Sequence, residues 1–184
     1  MRIPIRPKIQ YIAGFVPKPA DLFSQLRDTV AWDERIRTRK TASFGAPYNY
    51  SGIVYAAKEM PAELIRTAER IRWLLDMQAN NCLLNYYPTG SSSMGFHSDA
   101  TEGLRPGSGI AIVSLGATRT FTFRAKNDRT TTADFVLESG SLFYMPLSAQ
   151  ADWQHGILPS DASEGRISLT FREFEKDDPS GLEL

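Results

Sequence analysis

The chain contains two histidines, His97 and His155, so chemistry that needs three imidazoles is excluded. In Phe96-His97-Ser98-Asp99 an imidazole and a carboxylate stand two residues apart. At a strand end, that spacing lets both side chains project to one side and grip one ion. His155, just past Trp153-Gln154, is the candidate third ligand, supplied by a neighbouring strand. Two histidines and one carboxylate on one face of an octahedron leave three positions open, as in non-haem Fe(II) oxygenases. An isolated His-x-Asp is also common among surface residues, so the assignment needs support from elsewhere in the chain.

That support lies in Arg166-Ile167-Ser168-Leu169-Thr170-Phe171-Arg172. Strand parity sends Ile167, Leu169 and Phe171 into a core and Arg166, Ser168, Thr170 and Arg172 to the opposite face. The two arginines lie on the order of 20 Å apart at about 3.3 Å per residue, but long side chains can lean toward the middle. Between them they suit a small dicarboxylate, because guanidinium offers a planar fork matched to carboxylate geometry. A solvated strand face with surface ion pairs is the competing reading. Asn85 and Tyr87 share parity on an earlier segment and are candidates to hydrogen-bond the same dicarboxylate, with Tyr86 facing the other way.

The elements that must position these residues follow from periodicity. Asp21 to about Val30 carries Leu22, Phe23, Leu26 and Val30 on one helical stripe. Pro61 to about Met77 carries Leu64, Ala68, Ile71 and Leu75 on another, with Pro61 suited to a first helical turn. From Asn81 onward the pattern changes to short strands rich in branched and aromatic residues: Cys82–Tyr87, Met94–His97, Ile110–Leu115, Arg119–Arg124, Asp134–Leu137, Ser141–Met145, Trp153–His155 and Arg166–Phe174. Pro88-Thr89-Gly90, Arg105-Pro106-Gly107 and Ser139-Gly140 punctuate them. Such a run implies a sandwich or jelly roll with the helices packed outside.

Composition bounds the rest. A length of 184 residues with 42% hydrophobic and 11% aromatic content fits one domain with a real core. Charged residues make up 23% and formal net charge is zero, which argues against disorder and against a uniformly cationic nucleic-acid binder. Locally, residues 1–50 hold nine Lys/Arg against four Asp/Glu, concentrated in Arg35, Arg37, Arg39 and Lys40. This end is the candidate for meeting phosphates, a merely solvated face being the alternative. Apolar runs fall well short of the roughly 20 residues a membrane helix needs, and Met1-Arg2-Ile3-Pro4 lacks a signal-peptide core. The expectation is a soluble cytoplasmic chain, or a nuclear one if eukaryotic, working as a monomer. Cys82 is alone and apolar-flanked, so it reads as an inert buried thiol.

Together, Asn85-Tyr86-Tyr87, the Gly90 turn, His97-Ser98-Asp99, Ser114-Leu115-Gly116-Ala117-Thr118-Arg119-Thr120-Phe121, Ala151-Asp152-Trp153-Gln154-His155 and Arg166–Arg172 resemble successive motifs of the AlkB family of Fe(II)/2-oxoglutarate dioxygenases. Upstream, Arg39-Lys40-Thr41-Ala42-Ser43-Phe44-Gly45 and Pro47-Tyr48-Asn49-Tyr50-Ser51-Gly52 resemble the substrate-side segment of its eukaryotic nucleic-acid demethylase branch. The resemblance implies a mainly β fold with flanking helices, a double-stranded β-helix (jelly roll, cupin-like) with an N-terminal substrate-recognition lid. It divides one dioxygenase domain, 1–184, into helices and lid over about 1–80, a catalytic core over about 81–174 and an acidic tail over 175–184.

Carried over by position, the resemblance implies His97, Asp99 and His155 as Fe(II) ligands. Asn85 and Tyr87 would contact 2-oxoglutarate, Arg166 would pair with its distal carboxylate, and Arg172 would steady its metal-proximal end and Asp99. Ser168 stands where the family often has asparagine and still offers a hydrogen bond. With O2, these parts imply oxidative demethylation of N-alkylated bases in DNA or RNA, releasing succinate, CO2 and formaldehyde. Such a base must be flipped out or presented on a single strand. Phe44, Tyr48, Tyr50 and Trp32 are the aromatic candidates for contacting it, although an aromatic in a small domain is also a core candidate. Trp153 reads as packing near the metal, and Arg119 and Arg124 as surface or supporting residues. The chain departs from the family after Asp99: Ala100 and Thr101 stand where members acting on damaged bases usually carry an acid, and the nearest acid is Glu102. That departure leaves room for a small-metabolite substrate on the same fold. A non-catalytic jelly-roll binding module is the third reading.

Overall fold

A computed structural model describes residues 6–175. In chain order its elements are β1 (Gln10–Ile12), α1 (Pro19–Thr29), β2 (Lys40–Gly45), β3 (Tyr48–Tyr50), β4 (Ile53–Tyr55), α2 (Ala62–Leu75), β5 (Asn81–Tyr87) and β6 (Met94–His97). There follow β7 (Gly109–Gly116), β8 (Arg119–Ala125), β9 (Thr132–Leu137), β10 (Leu142–Pro146), α3 (Ala149–Asp152), β11 (Trp153–Ile157) and β12 (Arg166–Arg172). Except for residue 175, the acidic tail lies outside the described residues. Among them no helix is long and apolar enough to cross a membrane.

Two antiparallel sheets make the jelly roll. The major sheet runs β1-β10-β7-β12-β5-β2 and the minor sheet runs β6-β11-β8-β9. Sequence-adjacent strands are often not neighbours, because the chain alternates between sheets. β12 sits between β7 and β5, with Ser168 level with Ser114 on one side and Asn85 on the other. This register gathers hydroxyl, amide and guanidinium groups on one face. The predicted alternation along β12 is observed, since Ile167, Leu169 and Phe171 join the core beneath the helices.

That helix-side core forms because α1 and α2 each carry an apolar stripe. Leu26 of α1 and Leu64 and Ile71 of α2 are fully enclosed, worth about 1.5–3 kcal/mol each relative to exposure. Pro19 occupies the first turn of α1, two residues before the expected start. Pro61 caps α2 from outside rather than lying in its first turn. The second core, between the sheets, is aromatic: Phe121, Phe123, Phe135 and Phe143 meet edge-on or tilted at centroid distances of 5.1–6.0 Å.

The N-terminal segment is more than helices and a lid. β1 and β2 form the two edges of the major sheet, and β3 and β4 pair as a separate hairpin. Their brevity, and the Lys40 and Gly45 bounds of β2, hid them from period-two patterning. The basic run is also not a free cationic face. Arg35 pairs with Asp33, Lys40 pairs with Glu34 at 2.6 Å, and Arg39 is buried.

Candidate metal centre and cosubstrate pocket

β6 and β11 are paired so that His97 and His155 stand directly opposite each other, with a register irregularity just beyond. Gly156 permits the approach: a Cβ there would lie 2.8 Å from the Met94 carbonyl oxygen. Asp99 follows in the turn after β6. Its Oδ1 is 3.5 Å from His97 Nε2 and its Oδ2 is 3.6 Å from His155 Nε2. One ligand atom from each residue can be chosen so that all three lie within 4.8 Å of one another. His97 Nδ1 lies 3.0 Å from the Gly95 carbonyl, which assigns a proton to Nδ1 and leaves Nε2 as the ring nitrogen that faces Asp99.

Electrostatics agree with a cation site. Burial disfavours the Asp99 charge, yet Arg172 and the two imidazoles more than offset it and hold the carboxyl well below the usual range. Burial pulls His155 down to about 4, so it is a neutral imidazole with a free lone pair at neutral pH. At His97 burial also disfavours protonation, but the Asp99 hydrogen bond and charge outweigh it and raise the pKa. Two neutral or carboxylate-paired imidazoles and one ionised carboxylate form a donor set suited to Fe(II).

A narrow cavity extends from this centre along β12, lined by Asn85, Tyr87, Met94, Ile112, Arg166, Ser168, Thr170 and Arg172. Arg166 and Arg172 are each only 1% exposed. Arg166 Nη2 donates to Ser114 Oγ at 2.9 Å, and the guanidinium lies 5.4 Å from the Tyr87 ring centroid. Arg172 Nη2 donates to Asp99 Oδ1 at 3.2 Å. Arg166 Nε and Arg172 Nε and Nη1 are buried without a partner among the described residues. Buried guanidinium donors left open cost stability, and an anionic cosubstrate would satisfy them. Burial lowers Arg166 to about 10, which leaves it cationic at neutral pH. The residues present therefore fit Fe(II) and a dicarboxylate such as 2-oxoglutarate.

Beside the centre, Tyr48, Asn49, Tyr50, Ser51, Arg39, Phe96 and Ala100 line an open cleft. Tyr48 and Tyr50 stack at 6.1 Å, and Arg172 lies 4.8 Å from the Tyr48 ring centroid. The other two aromatic candidates are elsewhere. Phe44 pairs with Cys82 in register and is 4% exposed in the helix-side core, capped by Lys58, because its place on β2 turns it away from the cavity. Trp32 packs on Tyr86 at 5.2 Å and donates to the Arg27 carbonyl at 3.1 Å on that same side. Trp153 is buried in the inter-sheet core. Arg119 is not a surface residue: it is buried and donates to the carbonyls of Thr89, Ser92 and Leu158, stapling the loops at the far end of the cavity. Arg124 stacks on Phe96 at 4.0 Å from the ring centroid. Cys82 is fully buried, and burial pushes its thiol well up, as an inert thiol requires.

Several supporting residues escaped sequence reading. Gln150 Oε1 accepts from the Asp99 amide at 2.9 Å, and Ser98 Oγ donates to the Trp153 carbonyl at 2.9 Å, so the turn carrying Asp99 is held at both residues. Ser114 had a legible signal, as a lone hydroxyl interrupting the apolar run of β7. Gln150 had none, because only the fold brings α3 beside the 98–99 turn.

The sequence model of the 2OG-Fe(II) oxygenase superfamily matches residues 17–172. The chain is 34% identical over 186 residues to human "Alpha-ketoglutarate-dependent dioxygenase alkB homolog 3", covering 89% of this chain and 65% of the relative. It is 34% identical over 147 residues to mouse "DNA oxidative demethylase ALKBH2", covering 74% of this chain and 62% of that one. The chain thus spans a little under two thirds of the length of these curated relatives. Among solved structures, "The structure of OsALKBH1" superposes with a TM-score of 0.67 at 18% identity, covering 91% of this chain and 99% of that one, a likeness of fold. The matched segment contains all three candidate ligands and both cavity arginines, and the protein belongs to the 2OG-Fe(II) oxygenase superfamily, with AlkB homologues among its relatives.

Proposed function

We propose that this protein catalyses 2-oxoglutarate-dependent oxidative demethylation of N-alkylated bases in DNA or RNA, with succinate, CO2 and formaldehyde as products. The carrying observation is the convergence of His97, Asp99 and His155 beside two buried arginines, each with at least one guanidinium donor unpartnered among the described residues. Held by those three residues, Fe(II) would supply the activation of O2, the oxidant, with one oxygen atom ending in succinate as 2-oxoglutarate loses CO2 and the other in the hydroxylated N-methyl carbon, whose carbinol releases formaldehyde. The chain's residues do the rest. Arg166 grips the distal carboxylate, with Tyr87 and Ser168 walling the slot. Asn85 holds the keto-acid end, while Arg172 keeps Asp99 ionised and oriented. Tyr48 and Tyr50 offer stacking surface to a flipped or single-stranded base. All of these groups come from one chain, so the proposed working form is a monomer. The substrate implies work in the cytoplasm, or in the nucleus of a eukaryotic cell.

The printed names of the relatives, an alkB homolog 3 and a DNA oxidative demethylase, support the nucleic-acid substrate. One observation favours a second reading, a small-metabolite substrate: Ala100 lines the cleft and Glu102 is exposed outside it, so no acid stands just past Asp99 to meet a base. The test is incubation with an oligonucleotide carrying 1-methyladenine or 3-methylcytosine, reading methyl loss by mass. Loss with formaldehyde release supports the proposal. Succinate formation stimulated by metabolites, with the oligonucleotide unchanged, supports the second reading. Absence of a weak visible band on anaerobic addition of Fe(II) and 2-oxoglutarate overturns both.

A further inference from the structure

We propose that Arg39 is a positioning residue that dictates which polar atoms Asn85 and Tyr50 turn toward the cosubstrate cavity and the cleft. This rests on the reading of Asn85 as a 2-oxoglutarate contact. Arg39 immediately precedes β2 and is 9% exposed, and among the described residues no carboxylate lies within ion-pair distance of it. Its donors go to neutral groups. Nε donates to Asn85 Oδ1 at 3.0 Å, and Nη2 donates to the Tyr50 hydroxyl. Nη1 donates to Thr38 Oγ1 at 3.2 Å and to the Ser93 carbonyl at 3.4 Å.

An asparagine amide is ambiguous by shape, since a half turn exchanges acceptor Oδ1 for donor Nδ2. Arg39 removes the ambiguity. A guanidinium has donors and no acceptor, so Oδ1 must face Arg39 and Nδ2, with its two N–H groups, is left to the cavity that Asn85 lines. A donor there attracts the oxygens of a dianion, whereas an acceptor would repel them. The same rule acts on Tyr50. Its oxygen accepts from Arg39, so its own proton is directed elsewhere, toward Met94 Sδ at 3.7 Å. Tyr50 and Met94 border both the cavity and the cleft. Arg39 therefore ties the β3–β4 hairpin to the amide that meets the cosubstrate.

The test is calorimetric titration of 2-oxoglutarate into the Mn(II)-loaded full chain in four forms: unaltered, Arg39→Gln, Asn85→Ala and the double variant. Glutamine both donates and accepts, so it frees the amide to turn. Arg39→Gln is expected to weaken binding by about tenfold when Asn85 is present and by less than about twofold in the Asn85→Ala background, with Mn(II) affinity unchanged. Equal losses in both backgrounds, or no loss in either, overturn the proposal. An unaltered protein that binds no 2-oxoglutarate overturns the cosubstrate reading and the proposal with it. A second measurement avoids substitution altogether. In NMR spectra of the intact chain the Asn85 Nδ2 protons are expected to shift on 2-oxoglutarate addition, and close contacts between them and the Arg39 Nε proton would overturn the assignment.

Discussion

The two faces of β12 are buried alike and do opposite work. Ile167, Leu169 and Phe171 are 0% exposed against the helices, while Arg166, Ser168, Thr170 and Arg172 are at most 6% exposed against the minor sheet. The hydrocarbon face gains free energy from burial. The polar face loses it, because guanidinium groups leave water and several of their donors stay open. The contrast shows why the cosubstrate-facing arginines sit on an inner strand of the larger sheet. Two neighbouring strands and two helices overdetermine the backbone there, so the polar face can be held ready for an anion without the strand giving way.

Substitutions can break this contrast one face at a time. The largest expected effect on turnover is His97→Ala, which removes one of the three proposed metal ligands. Methyl loss from oligonucleotide should fall beyond detection while the melting temperature stays within a few degrees. On the other face, Leu169→Ala should cost about 2–5 kcal/mol in denaturant unfolding by opening a cavity, with the 2-oxoglutarate Kd unchanged where the protein remains folded. Arg166→Lys keeps the charge and loses the fork, so the 2-oxoglutarate Kd should rise by about tenfold, read by calorimetry with Mn(II). An unchanged Kd would show that Arg166 does not hold the distal carboxylate. A matched pair of smaller changes separates cleft from core among the aromatics. Phe44→Leu should lower stability by about 1 kcal/mol without altering oligonucleotide KM, and Tyr48→Leu should raise that KM with stability nearly constant. The smallest effect concerns pH. Arg35 donors pull the Asp33 carboxyl down to about 2. Its folded pKa is below its unfolded one near ~4, so the contribution is present above that value and fades as pH falls toward 2. Asp33→Asn should flatten that limb of a stability–pH curve.

Legibility followed the physics of each element. Strands from Asn81 onward were readable because one face of each is apolar and turn residues separate them. β12 was readable to the side chain, since a period of two admits one assignment of seven alternating residues. The edge strands β1 and β2 were not, because β1 is three largely exposed residues and β2 sets only Ala42 and Phe44 among Lys40, Thr41, Ser43 and Gly45. Phe44 shows the limit for the site. Its neighbours Arg39, Tyr48 and Tyr50 do border the cleft, but the pairing of β2 with β5 turns the Phe44 ring to the other side.

Residue identity alone determined the chemistry on offer: two imidazoles, a nearby carboxylate and a strand with cations at both ends of one face. Only the tertiary structure decided which of these meet. His97 and His155 become partners through a cross-strand register, Asp99 is aimed by a glutamine from a distant short helix, and Arg39 loses its apparent role as a surface charge by being buried against an amide. Local periodicity encodes which face a side chain takes, whereas strand pairing depends on the free energy of the whole sheet and cannot be read from any one segment.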